Sequence, residues 1–321
     1  MLDAYRVLVT GANGFVGCTL FKYLHEVEQY HVSGSVRTAD TAQKNLFTVG
    51  ELSENTNWSE ALEGQHVVIH VAARAHVMDE AIIDPLTEYR RVNVAGTSNL
   101  ARQAANAGVK RFIFISSIKV NGESTAADSP FQHIDKAMPE DLYGISKAEA
   151  EDGLWQIGKE TGMEIVIIRP PLVYGPGVKA NFASMMKWAS KNLPLPLGAV
   201  CNSRSLVALD NLISLIVTCI DHPKAANQTF LVSDDRDVST TQLLRMMAHA
   251  FGKKARLLPI PMSWIRGVAS LLGKKAVADR LCGSLQVDIT YTKETLGWKP
   301  PVTMEQQLAK IVASMSSPRD V

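Results

Sequence analysis

Tyr143 and Lys147 stand one helical turn apart in Leu142-Tyr143-Gly144-Ile145-Ser146-Lys147, so both side chains fall on one helix face. An ammonium beside a phenol favours the phenolate and lowers a pKa that is ordinarily about 10. A tyrosine tuned in this way can give or take a proton near neutral pH. In a chain with 7 tyrosines the spacing alone arises easily by chance. Its meaning depends on the elements that hold the pair.

Those elements have a clear rhythm. Val7-Leu8-Val9, Val67-Val68-Ile69, Phe112-Ile113-Phe114-Ile115 and Ile165-Val166-Ile167-Ile168 are short apolar runs of the kind buried on both faces of a parallel sheet. Phe15 to Val27, Leu86 to Ala107 and Tyr143 to Thr161 carry helical spacing between them. Strand–helix alternation of this kind predicts an α/β fold, a doubly wound parallel sheet of the Rossmann type. After Arg169-Pro170-Pro171 the pattern loosens, with Pro194, Pro196, Pro259 and Pro261 in loops and helices expected at Asn181–Lys191, Thr240–Phe251 and Ser263–Leu272. Residues 1–169 are therefore expected to form a dinucleotide-binding domain. Residues 170–321 are expected to be mainly a smaller substrate-binding domain, with segments at about 205–235 returning to the first, including a strand at Thr229-Phe230-Leu231-Val232.

The dinucleotide expectation comes from Gly11-Ala12-Asn13-Gly14-Phe15-Val16-Gly17, which follows the first strand and opens the first helix. Glycine at these positions permits a tight turn, close approach of backbone to a pyrophosphate and close helix–strand packing. The helix N-terminus adds N–H groups and a positive dipole end. The second strand, His31 to Val36, should end near the adenosine ribose. There the chain reads Val36-Arg37-Thr38, with no carboxylate before Asp40. A guanidinium suits a 2′-phosphate, so Arg37 favours NADP, with NAD possible.

Charge and composition exclude other classes. A net charge of +1, from 33 basic and 32 acidic residues, argues against nucleic acid or an anionic membrane as partner. The four cysteines are scattered without a Cys-x-x-Cys pair, and the eight histidines show no ligand spacing. Neither a disulfide frame nor a metal site is expected. The chain starts directly in a strand-like run and has no apolar stretch long enough to span a bilayer; the expected location is the cytoplasm.

In order along nearly all 321 residues come Thr10 to Gly17, His70-Val71-Ala72-Ala73, Asn93-Val94-Ala95-Gly96-Thr97, Ser116-Ser117, Tyr143 to Lys147 and Arg169-Pro170. In these motifs the chain resembles the extended short-chain dehydrogenase/reductase superfamily, in its NAD-dependent epimerase/dehydratase branch. Ile118 to Glu123 and Arg169 to Ala180 look most like bacterial UDP-sugar enzymes of surface-polysaccharide pathways. These are the UDP-hexose 4-epimerases and the 4-ketoreductase that makes UDP-N-acetylquinovosamine. The resemblance implies that Ser117 hydrogen-bonds the reacting oxygen of the sugar, that Tyr143 is the general acid/base, and that Lys147 holds the nicotinamide ribose and tunes Tyr143. It implies that Asn93 supports the lysine through water. For the cofactor it implies Gly11, Asn13, Gly14, Phe15, Val16 and Gly17 at the pyrophosphate. Ala72, Ala73 and Pro170 then lie along the groove, with Glu51 and Leu52 near the adenine. For the substrate it implies Lys119 beside Ser117, with Lys179, Asn181, Arg204 and Arg280 toward the diphosphate. Asn181 also has a plainer reading as the cap of its helix.

Departures from the family pattern carry information. Dehydratases of the branch have Asp-Glu where this chain has Ile118 and Lys119, so elimination of water from the hexose is disfavoured. Asn121 replaces the tyrosine of many relatives and is expected to alter the sugar pocket. Leu285 with Ser284, where strict hexose epimerases hold a bulky aromatic, is expected to leave room for an N-acetyl group. The leading functional reading is hydride transfer at C4 of a UDP-hexose or UDP-N-acetylhexosamine by a 4-ketoreductase forming UDP-N-acetylquinovosamine. The alternative is a UDP-glucose or UDP-N-acetylglucosamine 4-epimerase, which uses the same residues. A steroid-type dehydrogenase is disfavoured by Lys179, Arg204 and Arg280, and a noncatalytic NAD(P)-binding regulator by the intact Ser117, Tyr143 and Lys147. A homodimer packed through the helices at Leu86–Ala107 and Tyr143–Thr161 is expected from the resemblance.

Overall fold

The computed structural model describes residues 5–38, 45–75, 84–126, 128–271, 273, 279 and 281–316. The chain opens with β1 (Tyr5–Thr10), α1 (Phe15–His25), β2 (Tyr30–Val36), β3 (Leu46–Thr48) and a short α2 (Ser59–Leu62). It continues through β4 (Val67–His70), α3 (Pro85–Tyr89), a π turn at Arg90–Ala95, α4 (Gly96–Asn106), β5 (Arg111–Ile115), α5 (Leu142–Thr161) and β6 (Glu164–Arg169). Then come β7 (Leu172–Tyr174), α6 (Ala180–Ser190), β8 (Leu206–Ala208), α7 (Leu209–Asp221), β9 (Gln228–Leu231), α8 (Thr240–Ala250) and α9 (Met262–Leu271). Two further helices, Thr290–Leu296 and Met304–Ser316, follow. The main sheet has the order β3-β2-β1-β4-β5-β6-β9, and every neighbouring pair is parallel. A second sheet pairs β7 with β8.

The aliphatic runs explain the sheet. Val7 and Val9 pack with Leu20, Leu24, Leu212 and Ile216 on one face, while Leu8 packs with Leu100, Ala104 and Leu154 on the other. A strand with helices on both sides must be apolar at every position, and β4 and β5 are buried throughout. A third cluster joins α6, α8 and the last helix through Phe182, Met186, Leu244, Met247, Leu308 and Ile311.

The predicted strands and helices named above appear within one or two residues of their expected ends, with β9 covering the returning strand. Two 13-residue helices were not predicted: α7 and the last helix, Met304–Ser316. In α7, Leu209, Leu212, Ile213, Ile216 and Ile220 recur at helical spacing and form its buried face, with Asp210, Ser214 and Asp221 on the other side. Its C-terminal carbonyls are held by the Arg111 guanidinium, which donates to Cys219 O (2.8 Å), Ile220 O (3.0 Å) and His222 O (3.1 Å).

The order of the sheet places the site. From β1 the chain first builds outward through β2 and β3, then crosses back to β4 on the other side of β1. That reversal opens a crevice at the carboxyl ends of β1 and β4, where open α/β sheets bind ligands. Among the described residues no helix is long and apolar enough to cross a membrane.

Candidate active site

A groove of about 1190 Å³ occupies this crevice. Its floor is the loop between β1 and α1, contributing Gly11, Asn13, Gly14, Phe15 and Val16. Gly11 has φ +67°, and a Cβ there would come within 3.0 Å of the Ala72 backbone. Gly17 does not line the groove but sits beneath it, where a Cβ would lie 2.1 Å from Gly11 O. Loop and helix can therefore touch only through glycine. Gly14 is the N-cap of α1 and no side chain caps that end, which leaves its N–H groups to meet a phosphate. These features fit a dinucleotide pyrophosphate. Arg37, Glu51 and Leu52 line one end of the groove, Ala72 and Ala73 its flank, and Ser117, Tyr143, Lys147 and Pro170 the other end.

A buried bracket fixes the flank. Thr10 Oγ1 accepts from the N–H groups of Val71 and Ala72, both at 3.2 Å, and lies 2.7 Å from His70 Nδ1. With its acceptor sites so used, the Thr10 hydroxyl donates to Nδ1. The ring proton is then on Nε2, which donates to Thr97 Oγ1 at 3.0 Å. Burial, and secondarily Lys147, pushes the His70 pKa down to about 3, so the ring stays neutral and the tautomer holds. The motif that contains His70 was read from the sequence, but this role of its side chain was not.

At the catalytic end, Ser117 follows β5 and caps the 3₁₀ turn Ile118–Val120, its Oγ accepting from Lys119 N at 3.2 Å. Ser117 both caps this turn and lines the groove, and its hydroxyl hydrogen is left to point elsewhere. Asp141 caps α5 by accepting from Gly144 N at 2.7 Å. This puts Tyr143 and Lys147 on the first turns of a 20-residue helix. Lys147 is buried, donates to Ile115 O at 2.8 Å, and lies 4.1 Å above the Phe114 ring. Burial draws its pKa down to about 7, against a smaller upward pull from Glu151.

Tyr143 departs from the expectation of a lowered pKa. Burial raises the phenol well above its usual value, and Asp141 and then Tyr89, whose ring is 6.2 Å away, add to the rise. In the polypeptide alone, desolvation and a neighbouring carboxylate outweigh the effect assigned to the lysine.

Asn93 occupies the π turn, a feature often found at functional sites. Its Oδ1 accepts from Arg74 N at 2.9 Å, and its Nδ2 donates to Arg74 O and Ser146 Oγ, both at 3.0 Å. It therefore fixes the backbone after Ala73 and the residue before Lys147, rather than touching the lysine. Glu51 lines the groove and pairs with Arg91 at 3.1 Å. Arg37 is exposed at the end of β2, on the groove edge.

The substrate-side residues are more scattered. Lys179 and Asn181 are exposed at the start of α6. The cap position belongs to Lys179, so Asn181 lies inside the helix and its expected capping role does not occur. Arg204 is partly buried, bridges to Val238 and Leu285, and donates to Gly283 O at 3.2 Å; burial lowers its pKa. Arg280 lies outside the described residues. Lys119 is ion-paired with Glu123 and Asp141 instead of standing open toward a substrate.

Two expectations about the sugar pocket are corrected. Asn121 is buried and accepts from Arg169 Nη1 at 3.0 Å, so it belongs to the interior beneath the groove. Leu285 is part of the apolar core, and Ser284 Oγ accepts from Ser203 N at 3.1 Å. Neither lines the groove. The sequence reading missed the cluster that Asn121 joins: Glu151 accepts from Arg169 and from Ser116 Oγ, and all of these residues are buried.

With this geometry in view, comparison with known proteins is decisive about kinship. The family model described as NAD dependent epimerase/dehydratase family matches residues 7–233. The chain belongs to the NAD-dependent epimerase/dehydratase family. It is 55% identical over 302 residues to a Vibrio cholerae protein named UDP-glucose 4-epimerase, covering 94% of this chain and 92% of that one. It is 27% identical to an Escherichia coli O157:H7 protein named N-acetyl-alpha-D-glucosaminyl-diphospho-ditrans,octacis-undecaprenol 4-epimerase, covering 94% and 93%. The crystal structure of UDP-glucuronic acid 4-epimerase from Bacillus cereus in complex with NAD has the same fold. Its TM-score is 0.77 at 21% identity, covering 97% of this chain and 96% of that one. Family and fold together make the protein an NAD(P)-dependent enzyme of the extended short-chain dehydrogenase/reductase type.

Proposed function

We propose that this enzyme is a UDP-hexose 4-epimerase, working on UDP-glucose or UDP-N-acetylglucosamine. The observation that carries the reading is the 55% identity, over 94% of the chain, to the Vibrio cholerae protein of that name. The 4-ketoreductase reading gives way to it. The Ile118 to Glu123 segment resembles both enzyme types, and Asn121 within it is turned into the interior.

Tyr143 Oη takes the proton of the C4 hydroxyl, and Ser117 Oγ donates to the same oxygen. The groove residues from Gly11 to Val16, with Arg37, Tyr143 and Lys147, would hold a dinucleotide, which when bound would supply the hydride chemistry at C4 in both directions. The keto sugar rotates between the two transfers, and Tyr143 gives the proton back on the opposite face. Lys147 holds the nicotinamide ribose. The segments after Arg169, with Lys179, Asn181, Arg204 and Arg280, hold the UDP diphosphate. The enzyme acts in the cytoplasm as a homodimer.

The test offers UDP-glucose and UDP-N-acetylglucosamine with catalytic NAD or NADP. Conversion to the galacto isomers without net change in cofactor is expected. Stoichiometric oxidation of NAD(P)H by UDP-4-keto-6-deoxy-N-acetylglucosamine, with no epimerisation, would restore the reductase.

Arg37 sets the cofactor preference in this proposal. It lies at the ribose end of the groove with no carboxylate beside it in Val36-Arg37-Thr38. A charge-assisted contact to a 2′-phosphate contributes about 1.5–3 kcal/mol. Arg37→Ala is expected to weaken NADPH by that amount and NADH far less, as read by fluorescence titration. Equal weakening of both would show that Arg37 is only a surface charge.

A further inference from the structure

Ser117 and Tyr143 come from different elements, one after β5 and one on α5, yet a proton-handling pair needs fixed relative placement. A displacement of about 1 Å in such a pair can cost about a hundredfold in rate. The contact between the two elements is close. A Cβ on Gly144 would lie 2.7 Å from Lys119 O and 3.0 Å from Asp141 Oδ1. Lys119 N donates to Ser117 Oγ. Its Nζ leaves the same turn to donate to Glu123 Oε1 at 2.6 Å and to Asp141 Oδ2. The other oxygen of Asp141 caps α5 at Gly144 N, next to Tyr143.

We propose that Lys119 is a positioning residue: its ammonium clamps the Ser117 turn to the first turn of α5 and covers the Asp141 charge beside the Tyr143 phenol. This rests on the reading of Ser117 and Tyr143 as the groups that handle the C4 proton.

The charge arrangement supports the clamp. Tyr143 is faced by Asp141 from the cap of its own helix, by Tyr89 from α3, and by Lys147 one turn further along. Glu123, on the Ser117 side, reaches the same region through Lys119. A bare carboxylate two residues from a phenol opposes formation of the phenolate. Burial works against the Lys119 charge, but hydrogen bonds to Asp141 and Glu123 outweigh it and leave the ammonium above its usual pKa. The clamp is therefore closed throughout the range in which the enzyme would work.

The experiment compares the parent with Lys119→Met and Lys119→Arg. Turnover of UDP-glucose is measured across pH, and the Tyr143 phenol is titrated by ultraviolet absorbance. The phenol signal is the difference between each protein and its own Tyr143→Phe version. In Lys119→Met, kcat is expected to fall about tenfold or more while KM for UDP-glucose stays near that of the parent. The phenol should titrate at higher pH, and Lys119→Arg should restore most of both properties. Unchanged kcat and phenol titration in Lys119→Met, or equal losses in Lys119→Arg, would overturn the proposal. If the parent converts no UDP-sugar but the phenol still moves, the substrate reading fails and the clamp stands. Should Lys119→Met not fold, Asp141→Asn carries the test, since it can keep the Gly144 cap and drops the charge. Its phenol should then titrate at lower pH than in the parent, and an unmoved phenol would count against the clamp.

Discussion

Replacing Tyr143 with phenylalanine is expected to lower turnover by about 10²-fold or more, the scale of general acid–base catalysis. The ring that packs against Tyr89 at 6.2 Å remains, so binding of nucleotide cofactor and UDP-sugar should change little. A fall in kcat with KM preserved is the signature of an interaction made mainly in the transition state. The pH profile adds a second check. Burial and Asp141 raise the phenol above its usual value, so the reactive phenolate is scarce at neutral pH and becomes more abundant as pH rises. Parent turnover should climb with pH over the neutral range, and the residual activity of Tyr143→Phe should not follow it. Steady-state kinetics across pH decide this. Near-parental turnover in the variant would remove Tyr143 from the mechanism.

Much of this arrangement could be read before any coordinates. β1, β4, β5 and β6 carry short apolar runs because each is covered on both faces, and such runs are visible in sequence. The glycine loop was legible because backbone geometry demands it: Gly11 needs a positive φ and Gly17 has no room for a Cβ. α5 was legible through the helical spacing of Tyr143 to Thr161, and the structure adds Asp141 as its cap and Gly162, with φ +78°, at its end.

What escaped was tertiary in origin. α7 is the exception, since Leu209, Leu212, Ile213, Ile216 and Ile220 follow helical spacing with Asp210, Ser214 and Asp221 on the other side, a local signal that went unused. Lys119 looked like a substrate ligand because its two carboxylates are 4 and 22 residues away, and only the fold brings Asp141 to it. Asn121 looked like a pocket residue because it lies shortly after Ser117, yet the turn directs its amide inward to Arg169. Leu285 was placed near the sugar by analogy of position, while its backbone pairing with Ser203 and Ser205 sets it in the core. A resemblance transfers roles along the chain, but a side chain's direction depends on the neighbours that fill its other sides.

The second large effect is expected at Glu151, one turn beyond Lys147 on α5. Its carboxylate accepts from Arg169 Nε at 3.0 Å and Nη2 at 2.5 Å, and from the Ser116 hydroxyl. The two side chains of the pair are 3% and 9% exposed. Glu151→Ala leaves a buried guanidinium whose remaining side-chain acceptor in this cluster is Asn121 Oδ1, and breaking such a pair costs about 3–5 kcal/mol. A large drop in the denaturation midpoint, whether by heat or urea, is the expected result. Replacing both partners, as Glu151→Met with Arg169→Met, should recover much of it, because a buried ion pair gains little over well-packed apolar side chains. The damage from Glu151→Ala should also reach the site. The carboxylate is the group that pulls the Lys147 pKa upward against burial, so its loss should leave that lysine less protonated at neutral pH. Ser116 precedes Ser117, and Arg169 precedes Pro170 on the groove wall, so the cluster underlies both walls of the catalytic end. A destabilisation below about 1 kcal/mol, the scale of an exposed pair, would mean that water reaches Arg169 and that the cluster is not the dry support its burial indicates.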